Sequence, residues 1–161
     1  MRRILAMLVL SAASLATAAE AEFEDETCEL ERWYVGSAAT VTLPQGGSRL
    51  RRVGGAALRG GYYLDEFWAV EGEASWLEDS AGLAADVLWH WWGYERLDPF
   101  FTAGARGWIG RSGQVGPKVG VGSFYHLSDS WSLRFDADAT LGLDTRRSVD
   151  YTLSLGVQYS F

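Results

Sequence analysis

Residues 149–161, VDYTLSLGVQYSF, alternate between two kinds of side chain without a break. One set is apolar or aromatic: Val149, Tyr151, Leu153, Leu155, Val157, Tyr159 and Phe161. The other set is small or polar: Asp150, Thr152, Ser154, Gly156, Gln158 and Ser160. Successive side chains of a β-strand point to opposite faces. The stretch therefore predicts a strand with one apolar and one polar face.

The same period of two recurs along the chain from Trp33 onward. It predicts eight strands, at 33–43, 54–64, 68–77, 81–92, 100–109, 114–126, 131–143 and 148–161. Most of them are near the roughly 9–11 residues with which a tilted strand crosses a bilayer. The connections carry turn residues such as Gly46-Gly47-Ser48 and Asp98-Pro99. We predict an all-β fold, an eight-stranded antiparallel up-and-down transmembrane β-barrel over residues 33–161.

Alternation alone does not say which face is wet, because a soluble lipocalin-like barrel also has eight strands. Here the polar face mixes charges of both signs with many glycines, which suits a narrow, filled interior whose charges are paired. A solvated outer surface would carry long Lys and Glu side chains in place of so many glycines. We predict an interior charge network of Arg59, Glu71, Glu73, Asp86, Arg106, Lys118, Arg134, Asp136 and Asp138.

Aromatic residues cluster near one end of the predicted strands. If the N-terminus lies in the periplasm, this end is the periplasmic one, and its aromatic set is Trp33, Tyr62, Trp68, Trp89, Trp91, Phe101, Tyr125, Trp131, Tyr159 and Phe161. Trp76 and Tyr151 fall near the other end. Rings at strand ends form the interfacial girdles of transmembrane barrels, so this distribution also favours a membrane location.

Several motifs resemble the small outer-membrane β-barrels, such as the OmpA transmembrane domain and OmpX. They are residues 97–105 (LDPFFTAGA), 119–122 (VGVG) followed by 126–133 (HLSDSWSL), and Tyr151 to Phe161. In that family the last strand addresses the chain to the barrel-assembly machinery. The resemblance therefore implies an assembly signal at Tyr151, Tyr159 and Phe161. The chain departs from the family in having no peptidoglycan-binding domain after the barrel and in its short outward loops.

The N-terminus reads as a secretory signal peptide over residues 1–19. Arg2 and Arg3 precede an apolar run from Ile4 to about Leu15, and small residues follow. Cleavage after Ala18, Ala19 or Ala21 is possible, and Ala19 is favoured. Residues 20–32 are densely acidic and predict a solvated periplasmic segment. Removing residues 1–19 takes away two arginines, so the formal charge moves from −7 to −9, which argues against nucleic acid as a partner.

We predict no catalytic site and no metal site from the sequence. Cys28 is the only cysteine, and the two histidines, His90 and His126, are far apart. His126-Leu127-Ser128 is similar to the His-x-Ser dyad of the lipid A deacylases, which are also eight-stranded barrels. That family carries its dyad at the far end of the seventh strand, whereas His126 and Ser128 fall at a predicted periplasmic turn. We expect no enzyme activity, no cofactor and no metal, and we expect His90 to hydrogen-bond inside the barrel.

Three classes of function follow. The leading hypothesis is an envelope-stabilising barrel without a large pore, since eight strands leave a lumen just wide enough for side chains. The alternative is a barrel whose rim binds lipopolysaccharide or another surface partner through Arg49, Arg51, Arg52, Arg111, Arg146 and Arg147. The third is a lipid A-modifying enzyme. The expected partners are outer-membrane lipid, lipopolysaccharide and the assembly machinery; the oligomeric state stays open.

Overall fold

The eight predicted strands close into one antiparallel barrel. The computed structural model describes residues 33–45, 53–78, 80–91, 96–109, 115–143 and 148–161. The strands are β1 (Trp33–Gln45), β2 (Val53–Tyr63), β3 (Trp68–Leu77), β4 (Ser80–His90), β5 (Leu97–Ile109), β6 (Val115–His126), β7 (Trp131–Leu141) and β8 (Val149–Ser160). Each strand pairs with its neighbour in sequence, and β8 pairs with β1. The predicted fold class is confirmed, whereas the predicted signal peptide (1–19) and acidic segment (20–32) lie outside the described residues.

The start of β5 differs from the prediction. Asp98 and Pro99 were expected to form a turn before a strand beginning at residue 100, but β5 begins at Leu97 and includes both. Pro99 lacks an N–H group, yet its carbonyl oxygen accepts a hydrogen bond from the N–H of Trp91 (2.8 Å). A proline is tolerated near the beginning of a strand, so the turn-forming residues Asp98 and Pro99 do not end the pairing here. The other strand limits agree with the prediction to within two residues.

The barrel has two ends that differ in their connections. At one end the N–H of Phe161 donates to the carbonyl oxygen of Trp33 (2.9 Å), and the β2–β3, β4–β5 and β6–β7 connections lie at this same end. In the β2–β3 turn, the Asp65 carboxylate accepts the N–H groups of Phe67 and Trp68, both at 2.8 Å. We call this the terminus end and the opposite one the loop end.

The two faces of the sheet differ as the period of two predicts. On β8, Leu155 is 62% exposed on the outer face, while its neighbour Ser154 is 2% exposed in the lumen. Other exposed apolar side chains cover the outside of every strand; examples are Val41, Leu58, Val70, Leu83, Ile109, Val119 and Phe135. Among the described residues, no helix is long and apolar enough to cross a membrane.

Leu155 provides a test of the outer face. We expect Leu155→Arg to lower the yield of folded protein in lipid bilayers well below that of Leu155→Ala, because a mid-bilayer arginine on the lipid face costs about 2–4 kcal/mol. Folding is measured by the gel shift between heated and unheated samples. Equal yields for the two variants would mean that Leu155 does not face lipid.

Candidate functional site

The lumen of the barrel collects all nine charged residues of the predicted network. Each is at most 6% exposed, although together they carry four positive and five negative formal charges: Arg59, Arg106, Lys118 and Arg134 against Glu71, Glu73, Asp86, Asp136 and Asp138. A buried charge is tolerated only where it is paired and hydrogen-bonded. The pairing found in the lumen falls into two groups that share Arg59.

The group nearer the terminus end joins two arginines to two carboxylates. The guanidinium of Arg59 binds both oxygens of Asp136, with Nη1–Oδ1 and Nη2–Oδ2 distances of 2.8 and 3.0 Å. Arg134 donates from Nε to Asp136 Oδ1 (2.9 Å) and from Nη2 to Glu71 Oε1 (3.0 Å), and its Nη1 also contacts Glu71. The Tyr34 hydroxyl donates to Glu71 Oε2 (2.9 Å). Two-pronged arginine–carboxylate pairs of this kind are among the strongest hydrogen-bonded contacts in proteins.

The group nearer the loop end is built around Glu73. This carboxylate accepts from Arg59 Nε (3.1 Å) and Arg106 Nη2 (2.8 Å), and Lys118 Nζ lies 3.6 Å away. Arg106 Nη1 also binds Asp138 Oδ1 at 2.8 Å. Lys118, the only lysine of the chain, binds Asp86 Oδ2 at 2.7 Å.

These contacts link all eight strands across the lumen. Tyr34 represents β1, Arg59 β2, Glu71 and Glu73 β3, Asp86 β4, Arg106 β5, Lys118 β6, and Arg134, Asp136 and Asp138 β7. Strand β8 joins through two hydroxyls: Ser154 accepts from Arg59 Nη2 and Thr152 from Arg106 Nη1, both at 3.2 Å. Side-chain contacts therefore tie together strands that share no backbone hydrogen bonds.

An aromatic layer fills the lumen on the terminus side of the charges. Tyr34, Phe100 and Phe124 are each at most 1% exposed and pack with Ala69 and Leu88. The rings of Phe100 and Phe124 stack with centroids 4.9 Å apart. The guanidinium of Arg134 lies over both rings, at 4.9 and 5.2 Å from their centroids. We call the five packed residues the aromatic plug; they separate the charge network from the terminus end.

Two glycines make room for the plug. A Cβ atom on Gly61 would lie 2.2 Å from Tyr34 Cζ, and one on Gly122 would lie 2.3 Å from Phe100 Cζ. Real Cβ atoms do not approach other atoms so closely, so any other residue would displace these rings. The glycines of the polar face thus have a packing role in the lumen.

Sequence reasoning missed the aromatic plug, although a signal for it exists. Aromatic residues occur as adjacent pairs at Trp33-Tyr34, Tyr62-Tyr63, Phe100-Phe101 and Phe124-Tyr125. Since neighbouring residues of a strand point to opposite faces, one member of each pair faces inward. The outward girdle predicted from the sequence contains the other member of each pair.

The two histidines lie at the terminus end. His90 is 4% exposed; its Nδ1 lies 2.6 Å from Asp98 Oδ2, and its ring stacks on Phe124. His126 Nδ1 lies 2.8 Å from Ser132 Oγ. Ser128 Oγ instead accepts the N–H of Trp131 (3.1 Å). Within the described residues, no group of three or more His, Cys, Asp or Glu side chains could hold a metal ion.

The remaining predicted sites are not part of the lumen. Tyr151, Tyr159 and Phe161 lie on the outer side of β8 or at its end, where Tyr159 packs against Trp131 and Phe161. The six arginines proposed for lipopolysaccharide binding, at 49, 51, 52, 111, 146 and 147, lie outside the residues that the structure describes.

Comparison with solved structures defines the class of fold. Neisserial surface protein A matches with a TM-score of 0.66 at 15% identity, covering 80% of this chain and 97% of that one. The N-terminal β-barrel domain of Pseudomonas aeruginosa OprF matches with a TM-score of 0.59 at 18% identity over 80% and 97% of the two chains. Ail of Yersinia pestis, in complex with the heparin analogue sucrose octasulfate, matches with a TM-score of 0.59 at 14% identity over 81% and 98%.

The structural neighbours are thus small eight-stranded outer-membrane β-barrels, and the resemblance found in the sequence is confirmed at the level of the fold. No protein-family model matches the chain, and neither does any curated protein.

The pair Arg134–Glu71 allows a direct test of the network. We expect Arg134→Met, which keeps the apolar stem but removes the charge, to lower the free energy of unfolding by about 3–5 kcal/mol, because it leaves a buried carboxylate without its partner. Adding Glu71→Gln should recover part of this loss. The free energy is measured by urea unfolding in lipid vesicles.

Arg96→Met is the matched control, since Arg96 is exposed at the terminus end, and it should change the free energy of unfolding little. If Arg134→Met and Arg96→Met had equal effects, or if the two network substitutions were additive, Arg134 and Glu71 would not be coupled.

Proposed function

We propose that the chain is an outer-membrane barrel that stabilises the cell envelope and forms no large pore. The single observation that carries this proposal is the filled lumen. The charge network joins all eight strands there, and the aromatic plug fills the lumen on the terminus side of the network. Eight strands leave a lumen that side chains can fill, and here the charge network and the aromatic plug occupy it. Such a lumen serves rigidity better than transport.

Several observations support the outer membrane as the location. The outer face is apolar along every strand, and its rings gather near the terminus end, where Trp89 packs against Trp68, Trp91 and Phe101. The structural neighbours are outer-membrane proteins. The N-terminal sequence predicts export, and the outward aromatic residues of β8 fit a signal read by the barrel-assembly machinery.

The proposal includes no catalytic step. In the lipid A deacylase alternative, His126 and Ser128 would have to act together. Each is instead engaged locally at the β6–β7 connection, His126 with Ser132 and Ser128 with the N–H of Trp131. Hydroxyl and carboxylate groups at turns commonly serve this structural role.

A deletion strain tests the structural role. We expect the chain to fractionate with the outer membrane and to show heat-modifiable migration, and we expect its loss to raise uptake of a hydrophobic dye. The purified protein in planar bilayers should give no stable conductance, and lipid A from the two strains should have the same mass profile.

A different result would contradict each part of the proposed function. Recovery of folded protein in the soluble periplasm would refute the location, and unchanged dye uptake would refute the envelope role. A stable open conductance would refute the closed lumen. A lipid A species that differs by one acyl chain between the strains would favour the enzyme.

A second candidate function is binding of lipopolysaccharide at the outer rim. The predicted outward loops contain six arginines, at 49, 51, 52, 111, 146 and 147, in a chain whose net charge is −7. Arginine binds phosphate through paired, charge-assisted hydrogen bonds. The neighbour Ail is known in complex with the polysulfated sucrose octasulfate, which supports polyanion binding as a property that this fold can carry.

Neutralising the rim tests this candidate. Added lipopolysaccharide should raise the thermal unfolding midpoint of the parent protein more than that of a variant with Arg51, Arg52, Arg146 and Arg147 changed to Gln. Arg96→Gln, at the terminus end, serves as the control and should respond like the parent. If added lipopolysaccharide raised the unfolding midpoints of the parent and the quadruple variant equally, the four arginines would not bind it.

A further inference from the structure

The inward-facing residues on both sides of the aromatic plug are polar. On its terminus side, His90 Nδ1 lies 2.6 Å from Asp98 Oδ2, and His126 Nδ1 lies 2.8 Å from Ser132 Oγ. On its other side lies the charge network. Beyond the network, toward the loop end, the buried residues with hydroxyl groups are Thr40, Thr42, Ser75, Thr140 and Thr152. Within the described residues, the plug is therefore the one cluster of packed apolar side chains in a mostly polar lumen.

The plug extends across most of the barrel's cross-section. Its five residues come from five strands: Tyr34 of β1, Ala69 of β3, Leu88 of β4, Phe100 of β5 and Phe124 of β6. Tyr63 of β2 packs against them, and the guanidinium of Arg134 on β7 lies over the two phenylalanine rings. All five plug residues are at most 1% exposed. An ion that moves along the lumen would therefore have to pass between these side chains.

The plug offers such an ion no hydrogen-bond partner. Four of its five residues are alanine, leucine or phenylalanine. The hydroxyl of Tyr34 is the exception, and it already donates to Glu71 Oε2 on the network side (2.9 Å). A charge that enters an apolar constriction loses its partners without replacement, and this is why such constrictions block ion flow.

The charge network differs from the plug because its members have several partners within reach. Lys118 Nζ lies 2.7, 3.6 and 3.9 Å from carboxylate oxygens of Asp86, Glu73 and Asp138, respectively. Glu73 in turn lies near Arg59, Arg106 and Lys118. Groups with alternative partners can exchange one for another, and their carboxylates can accept a proton. The network alone is therefore a poor barrier to protons and small ions.

We propose that the aromatic plug is the permeability barrier of the lumen for protons and small ions, and that the charge network holds the strands together without sealing the barrel. This inference rests on the closed lumen of the proposed function and assigns its closure to named residues. Gly61 and Gly122 belong to the same barrier, because any side chain there would displace the rings of Tyr34 and Phe100.

Proton leak into lipid vesicles measures this barrier. The vesicles contain a trapped pH-sensitive dye, and heat-modifiable migration shows that each protein is folded. After a pH step, vesicles with the parent protein should equilibrate as slowly as protein-free vesicles. Those with the double variant Phe100→Ala and Phe124→Ala should equilibrate several-fold faster. Trp108→Ala is the matched control, because Trp108 is also a buried ring but lies beside Arg106 on the loop side of the network. It should keep the parent's rate.

Arg106→Met separates the barrier from the network. This substitution removes the base that binds Glu73 and Asp138 but leaves the plug intact, so it should lower the unfolding midpoint without raising the leak. A parent and a double variant that are equally tight would overturn the plug as the barrier and leave the proposed function standing. A leak through Arg106→Met that matches or exceeds that of the double variant would also overturn it. A leak through the parent would refute both the closed lumen and its barrier.

A milder pair of variants keeps the proposal testable if the double variant does not fold. Leu88 is 0% exposed within the plug, whereas its neighbour Val87 is 42% exposed on the outer face. Leu88→Ser places a small polar group in the apolar layer and should raise the leak above that of the parent. Val87→Ser changes the same strand outside the lumen and should not. Equal leak rates for these two variants would contradict the proposal.

Discussion

Closure of eight strands into a barrel forces the inward charges to neutralise one another. The lumen is narrow, and the nine charged side chains in it are nearly inaccessible to solvent. A single one of them without a partner would be strongly destabilising. The chain meets this constraint by sharing: Glu73 lies near three bases, and Asp136 accepts from both Arg59 and Arg134. The sheet fixes the positions of these groups, and their contacts across the lumen in turn hold distant strands together.

The rest of the interior is arranged around this network. On its terminus side, the guanidinium of Arg134 lies over the rings of Phe100 and Phe124, so this side chain both takes part in the ion pairs and contacts the aromatic plug. On its loop side, Arg106 donates to Glu73, Asp138 and Thr152, and its guanidinium lies over the ring of Trp108. Arginine suits both positions because its planar guanidinium donates several hydrogen bonds while its faces stack on rings. The outcome is a lumen layered from aromatic to charged to hydroxylated, which fits a rigid envelope component better than a channel.

The fold could be predicted from the sequence because each strand of a membrane barrel alternates outward apolar residues with inward polar or small ones. Leu153 and Leu155 face outward and Thr152 and Ser154 inward, so the number of strands and their two faces could be predicted from the alternation. The mixed charges and glycines of the polar face then indicated that this face, with its nine charges, points into the lumen. The pairing of those charges could not be read, since it depends on barrel closure and register. Arg59 and Asp136 are 77 positions apart, and no local pattern relates them. The start of β5 was predicted wrongly because Asp98 and Pro99 have a local preference for turns. The pairing of β5 with β4 and β6, which is not local, outweighs that preference.

The most direct measurement of the central claim is solid-state NMR of the protein in lipid bilayers, with correlation of guanidinium nitrogens to carboxyl carbons. Through-space correlations are expected from Arg59 to Asp136 and from Arg134 to Glu71. Guanidinium signals that correlate with water but with neither carboxyl carbon would contradict it, since the charges would then be solvated separately and would not hold the strands together.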